Sequence, residues 1–444
     1  MTSETDLFDG TVSTVAFGGN GIIRSQNDPQ TTSTASGLVV FVPYTASGDH
    51  IRYRITEQKK NFANGEMVEL IEGSPKRTSP LCQYFGVCGG CQLQHVTYNE
   101  QLAYKKEWVE DALKKQAGLP NLTVPNVIPS EQQWAYRRRI SLTLKAHYRH
   151  YKVGYIGTDH HSLIEIDECP IFQYKQDRSI NTTRKIISFL CPGSERDDAK
   201  VTIIKQSSHH FILHFHFKKM PKNGEEIFKK ALKDFSELVG ILATSPDTTF
   251  QFGQVEITIP IEELNFTFSP KAFIQNHPEQ SSNIYRSICT HAKKIERGNL
   301  LDLYCGIGVS SLLLAKQGFN VTGTEASGPA IQLAKINAKQ NKVSNIRFVK
   351  GDVATVLKAQ LEKEKPIAAI VNPPREGLSK HVVETILNSP PATLIYVSCM
   401  PPTLARDLKL LCLKTYDVHH IELYDMFPQT AHVETLIVLR SKKT

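Results

Sequence analysis

From Leu300 onward the chain alternates short apolar runs rich in strand formers with longer runs of helical periodicity, and this alternation constrains the fold more than any other feature. Leu300-Leu-Asp-Leu-Tyr runs into Cys305-Gly306-Ile-Gly308 and the helical stretch Ser310-Ser-Leu-Leu-Leu-Ala. Asn320-Val-Thr-Gly-Thr-Glu325 follows, then a helix through Ile331 to Asn341, the strand Ile346-Arg-Phe-Val ending near Gly351-Asp352, and Ile367-Ala-Ala-Ile-Val before Asn372-Pro-Pro-Arg375. Leu394 to Val397 form a last apolar strand ending at Ser398-Cys399, where Pro401 and Pro402 forbid continuation. Repeated strand–helix units predict a parallel α/β sheet of the nucleotide-binding kind, which takes its ligands at the carboxyl ends of the strands. Cys399 stands at such an end.

Gly306 and Gly308 sit between a strand and a helix, and Glu325 closes the next strand 19 positions beyond Gly306. A carboxylate there suits two ribose hydroxyls. Ser311 replaces the third glycine of the dinucleotide fingerprint, which favours a cofactor without a pyrophosphate over NAD; another phosphate-binding α/β fold stays open. S-adenosylmethionine fits best, with Glu325 on the ribose, Asp352 on the adenine amino group and the Tyr304–Gly308 turn near the amino-acid part. Phe427-Pro-Gln-Thr-Ala-His-Val-Glu434 opens the final strand, with Glu434 expected near the sheet edge facing Cys399. A thiol and a carboxylate beside a methyl donor suit C5 methylation of a pyrimidine. Thiolate attack at C6 makes C5 nucleophilic, and a base then removes the C5 proton.

A chain of 444 residues predicts two or three domains. Residues 1–75 read as a small OB-like β barrel. Cys82, Cys88 and Cys91, spaced by glycines, form a C-x5-C-x2-C metal motif with Cys169 as the candidate fourth ligand; spacing alone leaves zinc and iron–sulfur both open. A helix is expected from Val96 to about Gly118. Residues 132–155 combine Arg137, Arg138, Arg139, Lys145, Arg149 and Lys152 with Trp134, Tyr136, Tyr148, Tyr151 and Tyr155, a mixture suited to unpaired RNA. His214 and His216 share one strand face and are expected to be solvated. The net charge of +8 fits a polyanion partner. No run approaches the length of a membrane span and the first residues are acidic, so a cytoplasmic protein is expected.

Val397-Ser-Cys-Met-Pro-Pro-Thr-Leu-Ala-Arg-Asp, Asp302-Leu-Tyr-Cys-Gly-Ile-Gly, Phe273-Ile-Gln-Asn, His432-Val-Glu434 and the cysteine motif together resemble the RNA uracil-5-methyltransferase family over nearly the whole chain. The resemblance implies Cys399 as nucleophile and Glu434 as base, with Gln275, Tyr304, Gly306, Gly308, Glu325, Asp352 and Asn372 as cofactor-binding positions. It also implies a 4Fe-4S cluster on Cys82, Cys88, Cys91 and Cys169. The implied fold is α/β: a class I (Rossmann-like) methyltransferase domain at 263–444, an N-terminal OB-like TRAM barrel at 1–75, and a central β-rich iron–sulfur domain at 76–262 whose first helix packs on the catalytic domain. A barrel plus a cluster is similar to the 23S rRNA branch, so a monomer acting on 23S rRNA is expected. Methylation of tRNA uridine or RNA cytosine, or a weakened ribosome-assembly factor, are the alternatives. The chain departs from the family at Asn372, where Asp is usual, and at Val309, Met400 and Pro402.

Overall fold

The structure, a computed structural model, describes residues 7–24, 38–148, 150–173, 176–194 and 196–442. Its C-terminal half is built on an eight-stranded sheet. The strands run, edge to edge, Ile346–Lys350, Asn320–Glu325, Asn299–Leu303, Ala368–Val371, Thr393–Ser398, Glu434–Ser441, Tyr416–Tyr424 and Val127–Ile128. The first five are parallel, joined by helices Val309–Lys316, Gly328–Gln340, Val353–Glu364 and Lys380–Asn388. Ala368–Val371 and Thr393–Ser398 are buried at every position, as strands covered on both faces must be. Leu303 pairs with both Thr324 and Val371, and Val371 with Tyr396. Tyr304, Glu325 and Asn372 therefore emerge side by side at one end of the sheet.

The last strand is not at the edge. Glu434–Ser441 inserts antiparallel between Thr393–Ser398 and Tyr416–Tyr424. Residues Glu434 to Leu439 are all buried, so this run needs neighbours on both sides, whereas Tyr416–Tyr424 carries exposed Asp417 and His419 and is covered on its outer side only by the two-residue strand Val127–Ile128, at Leu423 and Tyr424.

Among residues 7–24 and 38–72, six strands form one sheet. Leu7–Thr11 pairs with His50–Gln58 at one edge while Thr14–Val15, two residues on, pairs with Gly21–Arg24 at the other. One bent strand thus serves both edges and curls the sheet around Val12, Ile23, Val40, Val42, Ile51 and Tyr53. A seven-stranded sheet of strands between Arg139 and Gly253 follows, with helices Ser179–Ser188 and Gly224–Asp234. The expected RNA-stacking surface at 132–155 is only partly there. Tyr136 and Tyr151 are buried, and the Tyr136 hydroxyl donates to the Pro428 carbonyl at 3.0 Å, because these side chains fill the sheet's core; Tyr148 and Lys152 stay exposed. His214 is buried rather than solvated, since its strand lies between two others, and its Nδ1 sits 3.3 Å from the Pro270 carbonyl.

Helix Tyr98–Asp111, extended by a π turn over Ala112–Gln116, packs Val109, Ala112 and Leu113 into one core with Leu404, Leu408 and Leu411 of the C-terminal sheet's last helix, Pro401–Lys414. The hairpin Ile257–Ile261/Leu264–Phe268 spans the 262/263 division as one piece and packs with helix Gly328–Gln340, Asn337 Nδ2 donating to the Thr267 carbonyl. Beneath these contacts lies a buried ion pair: Lys105 Nζ to Asp425 Oδ1 at 2.5 Å, both side chains fully sealed. Tyr98 donates to the other oxygen of Asp425 at 2.7 Å, and Lys105 also donates to the Phe427 carbonyl at 3.0 Å. Lys105→Ala strands a buried carboxylate and is expected to lower unfolding free energy by about 3–5 kcal/mol, measured by urea titration; the double variant Lys105→Met/Asp425→Leu should recover most of that loss.

Candidate active site

The turn after the first parallel strand is shaped by backbone conformation. Tyr304, Gly306 and Gly308 all adopt positive φ (64°, 56° and 83°). A Cβ on Gly308 would stand 2.8 Å from the Phe348 ring, so only glycine fits, while a Cβ on Gly306 would meet nothing within 4 Å. The turn is thus tight behind and open in front. Glu325 is held against it, accepting from Gly306 N at 3.2 Å and Ser327 N at 2.7 Å. Asp352 is exposed beside it and caps helix Val353–Glu364 by accepting from Ala354 N at 2.8 Å. Asn372 is half-buried and its N–H donates to the Leu303 carbonyl. Gln275 is half-buried just before His277, the N-cap of helix Pro278–Ala292.

Cys399 and Glu434 are brought together by register. Ser398 pairs with Thr435 across antiparallel strands as the last pair of that ladder, so Cys399 and Glu434, the residues just past it, meet at the same end of the sheet. Burial pushes the Glu434 carboxyl up to about 8. Burial and the neighbouring Glu434 push the Cys399 thiol up to about 12, against the pull of the Arg375 guanidinium.

Six residues that shape this site, Arg375, His432, Asp302, Thr403, Arg406 and Asp407, carry no role in the sequence reading. Arg375 Nη2 donates to His432 Nε2 at 3.3 Å, which leaves the proton of that neutral ring on Nδ1. Burial and Arg375 hold the His432 ring down to about 4, and its Nδ1 is buried with no partner among the described residues. Asp302, buried in the first strand, accepts from Ser310 at 2.6 Å and Ser311 at 2.5 Å, and burial raises it to about 6. Asp407 accepts from Tyr396 at 2.7 Å and Leu378 N at 2.8 Å, while Arg406 donates to the Glu376 and Leu378 carbonyls. Thr403 donates to the Arg375 carbonyl. The helix after Cys399 thereby clamps the Asn372–Arg375 loop over the thiol. An acid inside the apolar run Leu300-Leu-Asp-Leu was the one available signal for Asp302.

Cys82, Cys88, Cys91 and Cys169 line one cavity with Gln94, Arg137 and Tyr155. Burial pushes Cys91 up to about 11 and Cys169 to about 12. Arg137 Nε is buried with no partner among the described residues, and its cation acts on the Cys88, Cys91 and Cys169 thiols. The same segment supports the active site, since Gln92 N and Leu93 N donate to the Gln429 carbonyl and Gln92 Oε1 accepts from Ala431 N.

The family model for tRNA (uracil-5-)-methyltransferases matches residues 97–442. The chain belongs to that family. An uncharacterized RNA methyltransferase of Protochlamydia amoebophila is 45% identical over 97% of both chains, and one of Clostridium acetobutylicum is 33% identical over 91% of this chain and 92% of its own. The crystal structure of Pyrococcus abyssi tRNA (uracil-54, C5)-methyltransferase in complex with S-adenosyl-L-homocysteine is similar with TM-score 0.71 at 23% identity, over 97% of this chain and 100% of that one. The C-terminal sheet therefore has the class I methyltransferase fold, and the chain is an RNA methyltransferase that uses S-adenosylmethionine. Among the described residues no helix is long and apolar enough to cross a membrane.

A thiol held up to about 12 is slow to alkylate at neutral pH, and removing the one cation that lowers it slows it further. Arg375→Ala is expected to reduce iodoacetamide labelling of Cys399, followed by peptide mass mapping, by roughly tenfold for each pKa unit the thiol rises.

Proposed function

We propose that this chain methylates C5 of a uridine in structured RNA through a covalent bond from Cys399 to C6, with 23S rRNA as the substrate. The observation that carries this reading is the last pair of the ladder, Ser398 with Thr435, which leaves Cys399 and Glu434 as neighbours at the cofactor-side end of the strands. The open turn at Gly306, the anchored Glu325 and exposed Asp352 fit a nucleoside cofactor. Bound there, S-adenosylmethionine supplies an electrophilic methyl group.

Cys399 loses its proton to solvent and attacks C6, its new thiolate favoured by the Arg375 cation. The C5=C6 electron pair moves to an enolate across C5 and O4, and C5 takes the methyl as the donor's carbon–sulfur bond breaks and its electron pair stays on the sulfur, which leaves as a neutral thioether. Glu434, as carboxylate, then removes the C5 proton, and the electrons of that C–H bond reform C5=C6 and expel the thiolate. Asn372, beside the nucleophile's strand, faces the N3 edge of the base, and Tyr304, Gly306, Gly308, Glu325, Asp352 and Gln275 hold the cofactor.

Cys82, Cys88, Cys91 and Cys169 hold a 4Fe-4S cluster in this proposal. The buried Arg137 suits an anionic cluster. We assign residues 1–75 to a TRAM barrel and 76–262 to a central cluster domain, with 263–444 catalytic. One observation favours a second target: the Pyrococcus abyssi enzyme, matched along its whole length, is named for uridine 54 of tRNA.

Methyl transfer from labelled S-adenosylmethionine to 23S rRNA and tRNA transcripts, with nucleoside analysis, tests the proposal. Label in 5-methyluridine of the rRNA transcript supports it; label in tRNA alone moves the target, and label in 5-methylcytidine overturns the base assignment. Cys399→Ala should abolish transfer while retaining RNA affinity. Glu434→Gln should lower turnover by about 10²–10⁴ and trap a methylated RNA–protein adduct on denaturing gels.

Glu434 is needed ionised and is held up to about 8. Below that pH most enzyme carries the protonated acid, so the release rate of the adduct should rise about tenfold per pH unit toward 8 and level off above it, followed by single-turnover kinetics.

A further inference from the structure

On the far side of the last helix-to-sheet contact, three side chains converge that the reaction does not use. His291 lies in the last turn of helix Pro278–Ala292, and His420 and Glu422 lie on one face of the outer strand Tyr416–Tyr424. Their metal-binding atoms all fall within 4.8 Å of one another. His291 Nε2 stands 3.4 Å and His420 Nε2 2.7 Å from the same oxygen of Glu422, Oε1. The other oxygen, Oε2, is already occupied: Ser287 donates to it at 2.5 Å, and so does the Tyr424 hydroxyl.

We propose that His291, His420 and Glu422 form a binding site for a divalent first-row transition metal, zinc being the best fit. Two imidazoles and a carboxylate are the donor set zinc takes when a fourth position is left to water. Donors around a tetrahedral zinc at about 2.0–2.1 Å stand roughly 3.4 Å apart; His291 already stands at that distance from Glu422 Oε1, and His420, hydrogen-bonded to it at 2.7 Å, opens by several tenths of an ångström to admit the ion. The division of labour within Glu422 is what an ion requires, because Ser287 and Tyr424 fix one oxygen and so aim the other. The strand's register shifts between Val418 and His420, the local bulge that turns His420 toward the helix. The helix presents its C-terminal end, the pole that favours a cation. His291 is buried while the His420 side chain is 41% exposed, so an ion enters from one side and keeps a water there.

Such an ion staples helix Pro278–Ala292 to the outer strand. The helix begins beside Gln275, and the strand's Tyr424 pairs with Glu434, so the staple braces both sides of the active site without entering it.

The test uses full-length protein purified anaerobically with its cysteine site loaded, dialysed against Co²⁺ and then Zn²⁺. His420→Ala is the first variant, because its partly exposed side chain can be removed with the fold kept; Glu422→Gln is the second. Wild type should retain one ion more per chain than His420→Ala. The added cobalt should show visible d–d bands without the near-ultraviolet thiolate band that the cysteine site would give. Zinc should raise the thermal midpoint of wild type and leave that of His420→Ala unchanged. Equal metal content in wild type and folded His420→Ala, or cobalt bands of thiolate character only, overturns the proposal. Cys399→Ala should take up the ion as wild type does, which separates this site from the fate of the methyl-transfer proposal.

Discussion

The buried pair Lys105–Asp425 is the contact on which the active site hangs. Two opposite charges sealed from water are costly unless their remaining bonding capacity is met. Here Tyr98 satisfies the second carboxylate oxygen and the Phe427 carbonyl takes another ammonium proton. Every one of these partners belongs either to helix Tyr98–Asp111 or to the loop 425–433. That loop delivers His432 and Glu434. Gln101 adds a reciprocal pair, donating to Gln429 Oε1 and accepting from Gln429 N, and Gln92 and Leu93 add three more bonds from the cysteine-bearing segment. The placement of Glu434 is thus decided by residues more than 300 positions earlier. A helix outside the C-terminal half is as much a part of the catalytic unit as the strands are.

The chemistry of the Cys399–Glu434 pair follows from its surroundings. Burial alone disfavours a charge on either group, and placing them as neighbours disfavours charging both. Left so, the pair would hold two protons and be inert. Arg375 is the counterweight. Its loop is fastened by Thr403, Arg406 and Asp407, all from the helix that starts just after the thiol. The motif Cys399-Met-Pro-Pro-Thr-Leu-Ala-Arg-Asp therefore encodes a thiol together with the clamp for the cation that activates it. His432 accepts from that guanidinium and, kept neutral, does not compete with it for charge.

What could be read from the sequence divides by the range of the interaction. The alternation from Leu300 to Val397 reports local burial on both faces of a strand, and the parallel order followed from it. Tyr416–Tyr424 is hard to read as a strand because its polar face, carrying Asp417, His420 and Glu422, breaks up the apolar run. Leaving it out is what misplaces Glu434 at the sheet edge. Arginine and tyrosine at 136–139 looked like an RNA surface because composition is blind to facing; Tyr136 turns inward to Pro428, 292 positions away. Cys399 and Glu434 are legible in the sequence as strand-end residues, whereas Arg375 and His432 come together only in space. Lys105 read as one more polar residue of an amphipathic helix, since its partner lies 320 residues on.

Asn372 is the position where the chain departs most from the family pattern, and the contact with the N3 edge of the base proposed for it says what the change would do. It follows directly on a fully buried strand, next to the strand of Cys399 and near the Tyr304 turn. A carboxylate there only accepts, and so matches the N3–H of uracil while repelling the lone pair at N3 of cytosine. An amide of the same shape presents an acceptor to one and, rotated, a donor to the other. The exchange removes a charge from a site that already holds Glu434 and the developing thiolate, which eases the ionisation of both. It also removes the repulsion that sets the two pyrimidines apart, so discrimination at this position passes from charge to the groups that fix the amide's orientation.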